Sequence, residues 1–184
     1  MICIMFQYCP SCGLKRIRFA INKFFCPDCG FTYYHNTAAA TGCIIQTGDK
    51  IVLLVRGKEP AMGKLDLPGG FVDPGEGVFE GLQRELKEEL DWIPPVKPGI
   101  PLAETYSLLA SFPNKYKFKN ITYNTCDLFF TISAPGLCER DLRPESGEIA
   151  GLRFLTPEEI DPEDLAFEST RRAIAAFRKV KSRS

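Results

Sequence analysis

The chain has 184 residues, of which 45% are hydrophobic, and its 23 basic and 23 acidic side chains give a formal net charge of zero. This composition fits one ordinary hydrophobic core with a small appendage, and it excludes a global basic field that would recruit nucleic acid. No apolar run reaches the 18 residues of a membrane span, so we expect a soluble, cytoplasmic protein.

Two short cysteine motifs mark the first unit, which we place at residues 1–36. Cys9 and Cys12 are followed, after thirteen intervening residues, by Cys26 and Cys29, and both pairs read Cys-Pro-x-Cys-Gly. Four thiolates in two such pairs form a closed tetrahedral Zn²⁺ site, so the pattern predicts a small zinc ribbon with structural zinc. A disulfide or a redox pair is the alternative. A scaffold role is favoured over nucleic-acid binding because few basic residues accompany the motif.

The second unit, residues 37–184, begins with a predicted hairpin. Ala38–Gln46 and Lys50–Arg56 have the composition of strands, and the turn Thr47-Gly48-Asp49 joins them. Arg56 ends the second strand, where it is a candidate phosphate contact. An exposed arginine at a strand end explains it equally well.

The stretch from Gly70 to Trp92 organises the rest of the chain. From Val78 onward, apolar residues recur at the three- and four-residue spacing of an amphipathic helix. Glu85 and Glu88 lie on one flank of that apolar stripe, and Glu89 falls inside it. A carboxylate beside apolar packing is costly unless something neutralises it.

Two interpretations of these acids are open. A hard divalent cation such as Mg²⁺ takes oxygen ligands and would neutralise them. The alternative is a solvated acidic helix face with Arg84 and Lys87 as ordinary ion-pair partners.

The spacing decides between these interpretations. The segment reads G-x5-E-x7-R-E-L-x-E-E-x-D-W, which closely resembles the Nudix box, G-x5-E-x7-R-E-U-x-E-E-x-G-U with U a bulky apolar residue. The matching positions are Gly70, Glu76, Arg84, Glu85, Leu86, Glu88, Glu89 and Trp92. Asp91 stands where the family has the glycine that ends the helix, and aspartate tolerates the left-handed conformation needed there.

The resemblance to the Nudix hydrolases implies an α/β/α sandwich around a mixed sheet. It implies that Mg²⁺ or Mn²⁺ is held by Glu85, Glu88 and Glu89, with the Gly70 carbonyl as a further ligand. It also implies that Arg84 orients the acids and that Glu76 anchors the loop. The base is Glu85 or a glutamate of the loop 143–148, with Glu148 as the candidate.

The remaining elements follow from local patterns. Pro101–Ser111 and Ile121–Ser133 are predicted to form a long antiparallel pair. The segment between them is either a substrate flap, with Lys117 on a phosphate and an aromatic on a base, or an exposed hairpin. A strand is expected at Ile149–Leu155. A final helix is expected at Ser169–Val180, with its apolar stripe on Ile174, Phe177 and Val180.

The sequence narrows the substrate only in part. A zinc ribbon before a Nudix domain resembles the layout of the NADH pyrophosphatase branch, but the SQPWPFPxS motif of that branch is absent. We therefore expect hydrolysis of a diphosphate linkage in a nucleoside diphosphate joined to another group, such as NADH, FAD, ADP-ribose or a nucleotide sugar. The alternatives are a house-cleaning nucleoside triphosphatase and a non-catalytic nucleotide sensor. A homodimer is expected by analogy alone.

Overall fold

The computed structural model describes residues 6–95, 99–119 and 121–182. Residues 1–5 of the first predicted unit therefore lie outside the described residues, as do residues 96–98, 120, 183 and 184 of the second. The strands are Arg18–Phe19 (β1), Lys23–Phe25 (β2), Thr32–Tyr34 (β3), Ala38–Thr47 (β4), Lys50–Arg56 (β5), Leu65–Asp66 (β6), Ser107–Phe118 (β7), Ile121–Ser133 (β8) and Ile149–Leu155 (β9). The α-helices are Val78–Leu90 (α1), Leu102–Thr105 (α2) and Glu168–Lys181 (α3), with 3₁₀ turns at Glu139–Asp141, Pro157–Glu159 and Pro162–Asp164.

Strands β1, β2 and β3 form a small antiparallel sheet beside the cysteine motifs. Its core is aromatic. Phe24 is buried, and its ring lies 4.9 Å from that of Phe6 and 5.3 Å from that of Tyr33. So few residues cannot bury a large core, which is why a cross-link of the cysteines matters for this unit.

The remaining six strands form one mixed sheet in the order β6-β5-β4-β8-β7, with β9 paired to β5. Strands β4 and β8 run parallel over nine residue pairs, from Ala38 with Thr125 to Gln46 with Ser133. The other pairings are antiparallel, including the predicted hairpin of β4 and β5. The predicted mixed sheet is confirmed.

Helices cover both faces of this sheet. On one face, Leu82, Leu86 and Leu90 of α1 are fully buried in a cluster with residues of β4, β5 and β8. On the other face, Ile174 and Phe177 of α3 pack against a second cluster. Each helix therefore buries its apolar stripe on one side of the sheet, and the α/β/α layering is confirmed.

Two details of the predicted elements are wrong. Leu102–Thr105 is a short helix where a strand was predicted. Strand β7 runs from Ser107 to Phe118, so the segment after Ser111 continues the hairpin, as the exposed-hairpin alternative expected. Phe112–Phe118 pairs with β8 residue by residue, because the backbone hydrogen bonds of a long hairpin outweigh the polar composition of this segment. Val180 is 53% exposed, since α3 extends beyond the edge of the core that covers Ile174.

Candidate functional site

The four predicted zinc ligands converge on one point. The sulfur atoms of Cys9, Cys12, Cys26 and Cys29 all lie within 4.8 Å of one another. The Cys9 and Cys29 sulfurs are 3.6 Å apart, and those of Cys12 and Cys26 are 3.7 Å apart. A tetrahedral zinc site with Zn–S bonds of about 2.3 Å places its sulfurs about 3.8 Å apart, whereas a disulfide needs about 2.05 Å. The geometry and the thiol donors therefore fit Zn²⁺.

The two cysteine motifs fold identically. The amide of Cys9 donates to the Leu14 carbonyl and that of Gly13 to the Cys9 carbonyl, each at 2.9 Å. The same two bonds recur at Cys26 and Gly30, at 2.8 and 2.9 Å. Both glycines have φ near +75°, a conformation that L side chains rarely adopt. The final glycine of each motif is thus required for the turn that presents the thiolates.

The glycine-rich loop before α1 lies against the acids of the helix. A Cβ atom on Gly70 would lie 2.4 Å from Oε1 of Glu85, so only glycine leaves room for that carboxylate. The Gly69 amide donates a 2.7 Å hydrogen bond to Oε2 of Glu89. The Gly70 carbonyl accepts a 2.8 Å bond from the Thr41 amide, which fixes the loop on strand β4. Loop and helix therefore position Glu85 and Glu89 together.

Two adjoining cavities meet at these acids. The main cavity, of about 280 Å³, is lined by residues of β4, β6, β7, β8, α1 and α3. The acidic cleft, of about 370 Å³, is lined by Gly147 and by five glutamates: Glu85, Glu88, Glu89, Glu145 and Glu148. Glu85, Glu89 and Glu148 line both. They therefore form the boundary between the cleft and the main cavity.

Burial raises the pKa values of three carboxylates at this site, Glu89, Glu85 and Asp66. Burial raises the pKa of Glu89 well above its usual range, and the neighbouring Glu85, Asp66 and Glu148 add to the effect. Burial also raises the pKa of Glu85, although Arg84 opposes it. Burial raises the pKa of Asp66 as well, and Arg56 opposes this effect. The site concentrates negative charge, which Arg84, Arg56 and Lys58 offset only in part.

A divalent cation fits this donor set. In the described part of the chain Glu89 has no ion-pair partner, and carboxylate oxygens are the ligands that Mg²⁺ and Mn²⁺ prefer. Nη1 of Arg84 lies 2.9 Å from Glu85 Oε1 and 3.0 Å from Glu88 Oε2. The cysteine sulfurs are the one set of three or more candidate ligands within 4.8 Å of one another in the described ranges. Glu85, Glu88 and Glu89 therefore line a common cleft without all meeting within that distance, and Arg84 bridges two of them.

Arg56 and Glu148 lie on the wall of the main cavity. Nη1 of Arg56 is 3.1 Å from Asp66 Oδ2, and its guanidinium carbon lies 5.0 Å from the ring centre of Phe167. Glu148 forms an ion pair with Lys58. Lys117 is exposed on β7 and does not line the main cavity; its neighbour Tyr116 does. Successive side chains of a strand point to opposite faces, so the two residues cannot share one role.

Sequence reasoning did not single out several residues of the main cavity. Lys58, Asp66, Thr125 and Asp127 line it, as does Phe167 at the start of α3. Asp127 offered one signal, since an acidic residue stands in the apolar part of β8, next to Leu128 and Phe129. Lys58 and Phe167 lie in loops, Asp66 ends β6 and Thr125 lies within β8, so only the fold brings them together.

Comparison with known proteins identifies the class of this fold and site. The family model of the NUDIX domain matches residues 36–177. The chain therefore belongs to the NUDIX family.

Particular relatives cover parts of the chain. An ADP-ribose pyrophosphatase of Methanocaldococcus jannaschii is 48% identical over 65 residues, which are 35% of this chain and 38% of that protein. The NAD-capped RNA hydrolase NudC of Deinococcus radiodurans is 25% identical over 173 residues, 91% of this chain and 55% of that protein. The NudC of Stutzerimonas stutzeri is 31% identical over 60% of this chain and 41% of that protein. The chain thus spans about half or less of the curated relatives it matches.

Solved structures share the fold. A NUDIX hydrolase from Nitrosomonas europaea superposes with a TM-score of 0.66 at 22% identity, covering 97% of this chain and 94% of that one. The NUDIX domain of Shewanella oneidensis NrtR, solved with ADP ribose, gives a TM-score of 0.61 at 18% identity, covering 79% of this chain and 89% of that one.

No helix among the described residues is long and apolar enough to cross a bilayer.

Proposed function

We propose that this protein hydrolyses a diphosphate linkage in a nucleoside diphosphate joined to another group, and that it uses Mg²⁺ or Mn²⁺. One observation carries the proposal: Glu85, Glu89 and Glu148 separate an acidic cleft from a cavity whose walls also hold two cations, Arg56 and Lys58, and several aromatic rings. Such a boundary suits a substrate whose phosphates face a metal and whose organic groups need an enclosed site. Candidate substrates are ADP-ribose, dinucleotides such as NADH or FAD, and nucleotide sugars. The names of the relatives support the choice of ADP-ribose and of NAD-like groups.

In this proposal Glu85, Glu88 and Glu89 hold the metal, with the Gly70 carbonyl as a further ligand. When bound, the ion supplies charge neutralisation at the phosphate oxygens and lowers the pKa of a coordinated water. Arg84 orients the acids through Glu85 and Glu88, and Glu76 anchors Arg84.

The remaining chemistry is proton transfer and phosphate binding. Water adds across the linkage, one oxygen–phosphorus bond breaks, and two phosphate monoesters leave. Glu85 or Glu148 accepts the proton of the attacking water, since both line the main cavity. Lys58 and Arg56 face the same cavity, where each cation would bind substrate phosphate by exchanging its present carboxylate partner.

The units and the setting complete the proposal. Residues 1–36 form a zinc ribbon that acts as a scaffold, and residues 37–184 form the hydrolase domain. The sulfurs of the cysteine cluster lie too far apart for disulfides, which suits a reducing compartment such as the cytoplasm. A homodimer remains a prediction, which light scattering of the purified chain would check.

The test is a hydrolysis screen with added Mg²⁺, with products separated by ion-exchange chromatography. The panel contains ADP-ribose, NADH, FAD, a nucleotide sugar and the nucleoside triphosphates. Glu85→Gln should lower kcat about a hundredfold or more on the preferred substrate, because it removes a ligand charge. Glu80→Gln is the matched control, since Glu80 lies on the same helix outside both cavities.

Each result of the screen has a definite meaning. Cleavage of one diphosphate-linked class, lost in Glu85→Gln and kept in Glu80→Gln, supports the proposal. Preference for triphosphates would favour the house-cleaning alternative. Thermal stabilisation by nucleotides without any turnover would favour the sensor and overturn the proposed hydrolysis.

A further inference from the structure

The carboxylate of Asp127 is an unusual buried group in the main cavity. Asp127 lies on β8 and is 8% exposed. Its Oδ2 accepts a 2.6 Å hydrogen bond from the hydroxyl of Ser169 on α3. Its Oδ1 is buried and has no hydrogen-bond partner within the described residues. Buried acceptors are nearly always paired, so an unpaired carboxylate oxygen beside a cavity points to a donor that a ligand supplies.

A second unpaired group lies beside it. Thr125 precedes Asp127 by two positions on β8, so both side chains point to the same face of the sheet. Thr125 is 3% exposed, and its buried hydroxyl also lacks a partner in the described part of the chain. Both residues line the main cavity. The wall of the cavity therefore holds one unpaired acceptor and, two positions away on the same face of β8, a hydroxyl that can donate.

Aromatic side chains line the same cavity. The rings of Tyr116 and Phe167 are 5.7 Å apart with an interplanar angle of 46°. Aromatic walls suit a planar heterocycle, since bases stack on such faces without regard to their identity. Identity must then be read by hydrogen bonds at the edge of the ring, which is where Asp127 and Thr125 contribute.

We propose that Asp127 and Thr125 read the edge of the substrate's nucleobase, and that this base is adenine. Adenine presents an amino group beside a ring nitrogen, which is one donor next to one acceptor. Because Ser169 occupies Oδ2, the carboxylate has one free oxygen for that amino group, and the Thr125 hydroxyl donates to the ring nitrogen. Hypoxanthine carries a carbonyl oxygen in place of the amino group. In the same position that oxygen would oppose the carboxylate oxygen, and two acceptors cannot form a hydrogen bond. The inference rests on the proposed function for placing the diphosphate at the acidic boundary.

Affinity for the product nucleotides tests this reading without any turnover. Isothermal titration calorimetry with AMP and IMP, in Mg²⁺, compares two ligands that differ at the edge of the base. We expect the wild-type protein to bind AMP about tenfold to a hundredfold more tightly than IMP, the range of one hydrogen bond to a charged group.

Variants of Asp127 and Thr125 reverse or weaken that preference. Asp127→Asn keeps the size of the side chain and places an amide donor where Oδ1 stands. The variant should therefore bind IMP more tightly than AMP. Thr125→Val removes the hydroxyl at nearly constant shape, and it should weaken AMP binding by several-fold to tenfold. Ser169→Ala is the matched control, since it removes the other bond of Asp127 and leaves Oδ1 in place. It should keep the preference for AMP.

Two results would overturn the inference. One is equal affinity of the wild-type protein for AMP and IMP. The other is an unchanged preference in a folded Asp127→Asn variant, with Thr125→Val giving the independent answer if that variant does not fold. Hydrolysis of ADP-ribose is measured separately. Preference for AMP without hydrolysis would leave the base site standing and refute the proposed function, whereas hydrolysis without preference would do the reverse.

Discussion

Arg84 and Glu76 form a two-point ion pair, in which Nε lies 2.8 Å from Oε1 and Nη2 lies 3.1 Å from Oε2. The same Nη2 donates at 2.9 Å to the carbonyl of Phe71. These acceptors belong to the loop before α1, whereas Arg84 belongs to the helix, so one guanidinium fixes the loop to the helix. The pairing raises the pKa of Arg84 and lowers that of Glu76. The planar fork of arginine is needed for this set of bonds.

Arg84→Lys should therefore destabilise the protein although it keeps the charge. A lysine cannot make the paired contact with Glu76 together with the bond to Phe71, and we expect a loss of about 2–3 kcal/mol in the free energy of unfolding. Urea denaturation followed by circular dichroism measures it. Arg140→Lys, at an exposed turn, is the control and should change stability by less than about 0.5 kcal/mol. Equal stability of the two variants would contradict the role given to Arg84.

The two glycines of the loop should respond differently to alanine. A Cβ on Gly70 meets the end of the flexible Glu85 side chain, so Gly70→Ala should fold and displace that carboxylate, lowering kcat at least tenfold. A Cβ on Gly69 meets the Thr41 carbonyl oxygen at 2.2 Å, and its φ of 139° suits only glycine. Gly69→Ala should cost about 3 kcal/mol or more in unfolding free energy. Paired activity assays and thermal melts separate the two effects, and similar melts for both variants would refute the distinction.

The end of α1 predicts a stabilising substitution. Asp91 caps the helix with φ 51° and ψ 32°, the left-handed conformation expected for this position. Asp91→Gly should relieve the backbone strain and raise the unfolding free energy by about 0.5–1 kcal/mol, since the lost ion pairs with Lys87 and Arg143 are exposed and weak. Asp91→Ala loses the same pairs and keeps the strain, so it should be destabilised. The midpoints of denaturant unfolding measure the stability of each variant. A glycine variant less stable than the wild-type protein would show that the lost ion pairs outweigh the relief of backbone strain.

Metal analysis tests the cysteine cluster. The purified protein should contain about one zinc per chain by elemental analysis, and Cys9→Ser should lose it, because three thiolates leave an open coordination position. Cys138→Ser is the matched control, since Cys138 lies near Asp141 and outside the cluster. Release of zinc should also lower the protection of β1–β3 against proteolysis. Full zinc content in Cys9→Ser would refute the ribbon.

Much of the fold was predictable because its signals are local. The spacing of leucines placed α1, and glycines at fixed offsets from the cysteines placed the two motifs. Each of these depends on residues within a few positions of one another.

What could not be predicted depends on pairing over long distances. The segment 112–118 was open between a substrate flap and an exposed hairpin, and only its pairing with β8 shows that it continues the hairpin. Lys117 had the right chemistry for a phosphate contact, but the register set by β8 directs Tyr116 into the main cavity. The relation of Asp127 to Ser169 joins positions 42 residues apart and carries no local pattern.

The parallel pairing of β4 with β8 also orders events during synthesis. Strand β4 and the helix α1 leave the ribosome well before β8, the strand that supplies Phe130 and Ile132 to the cluster against which α1 packs. A nascent chain that ends before β8 therefore carries every glutamate of the box without the sheet that positions them. Closing so distant a pair costs loop entropy before any contact repays it, which makes this step a slow one. The proposed binding of metal and nucleotide should thus arise late, when the second half of the domain docks.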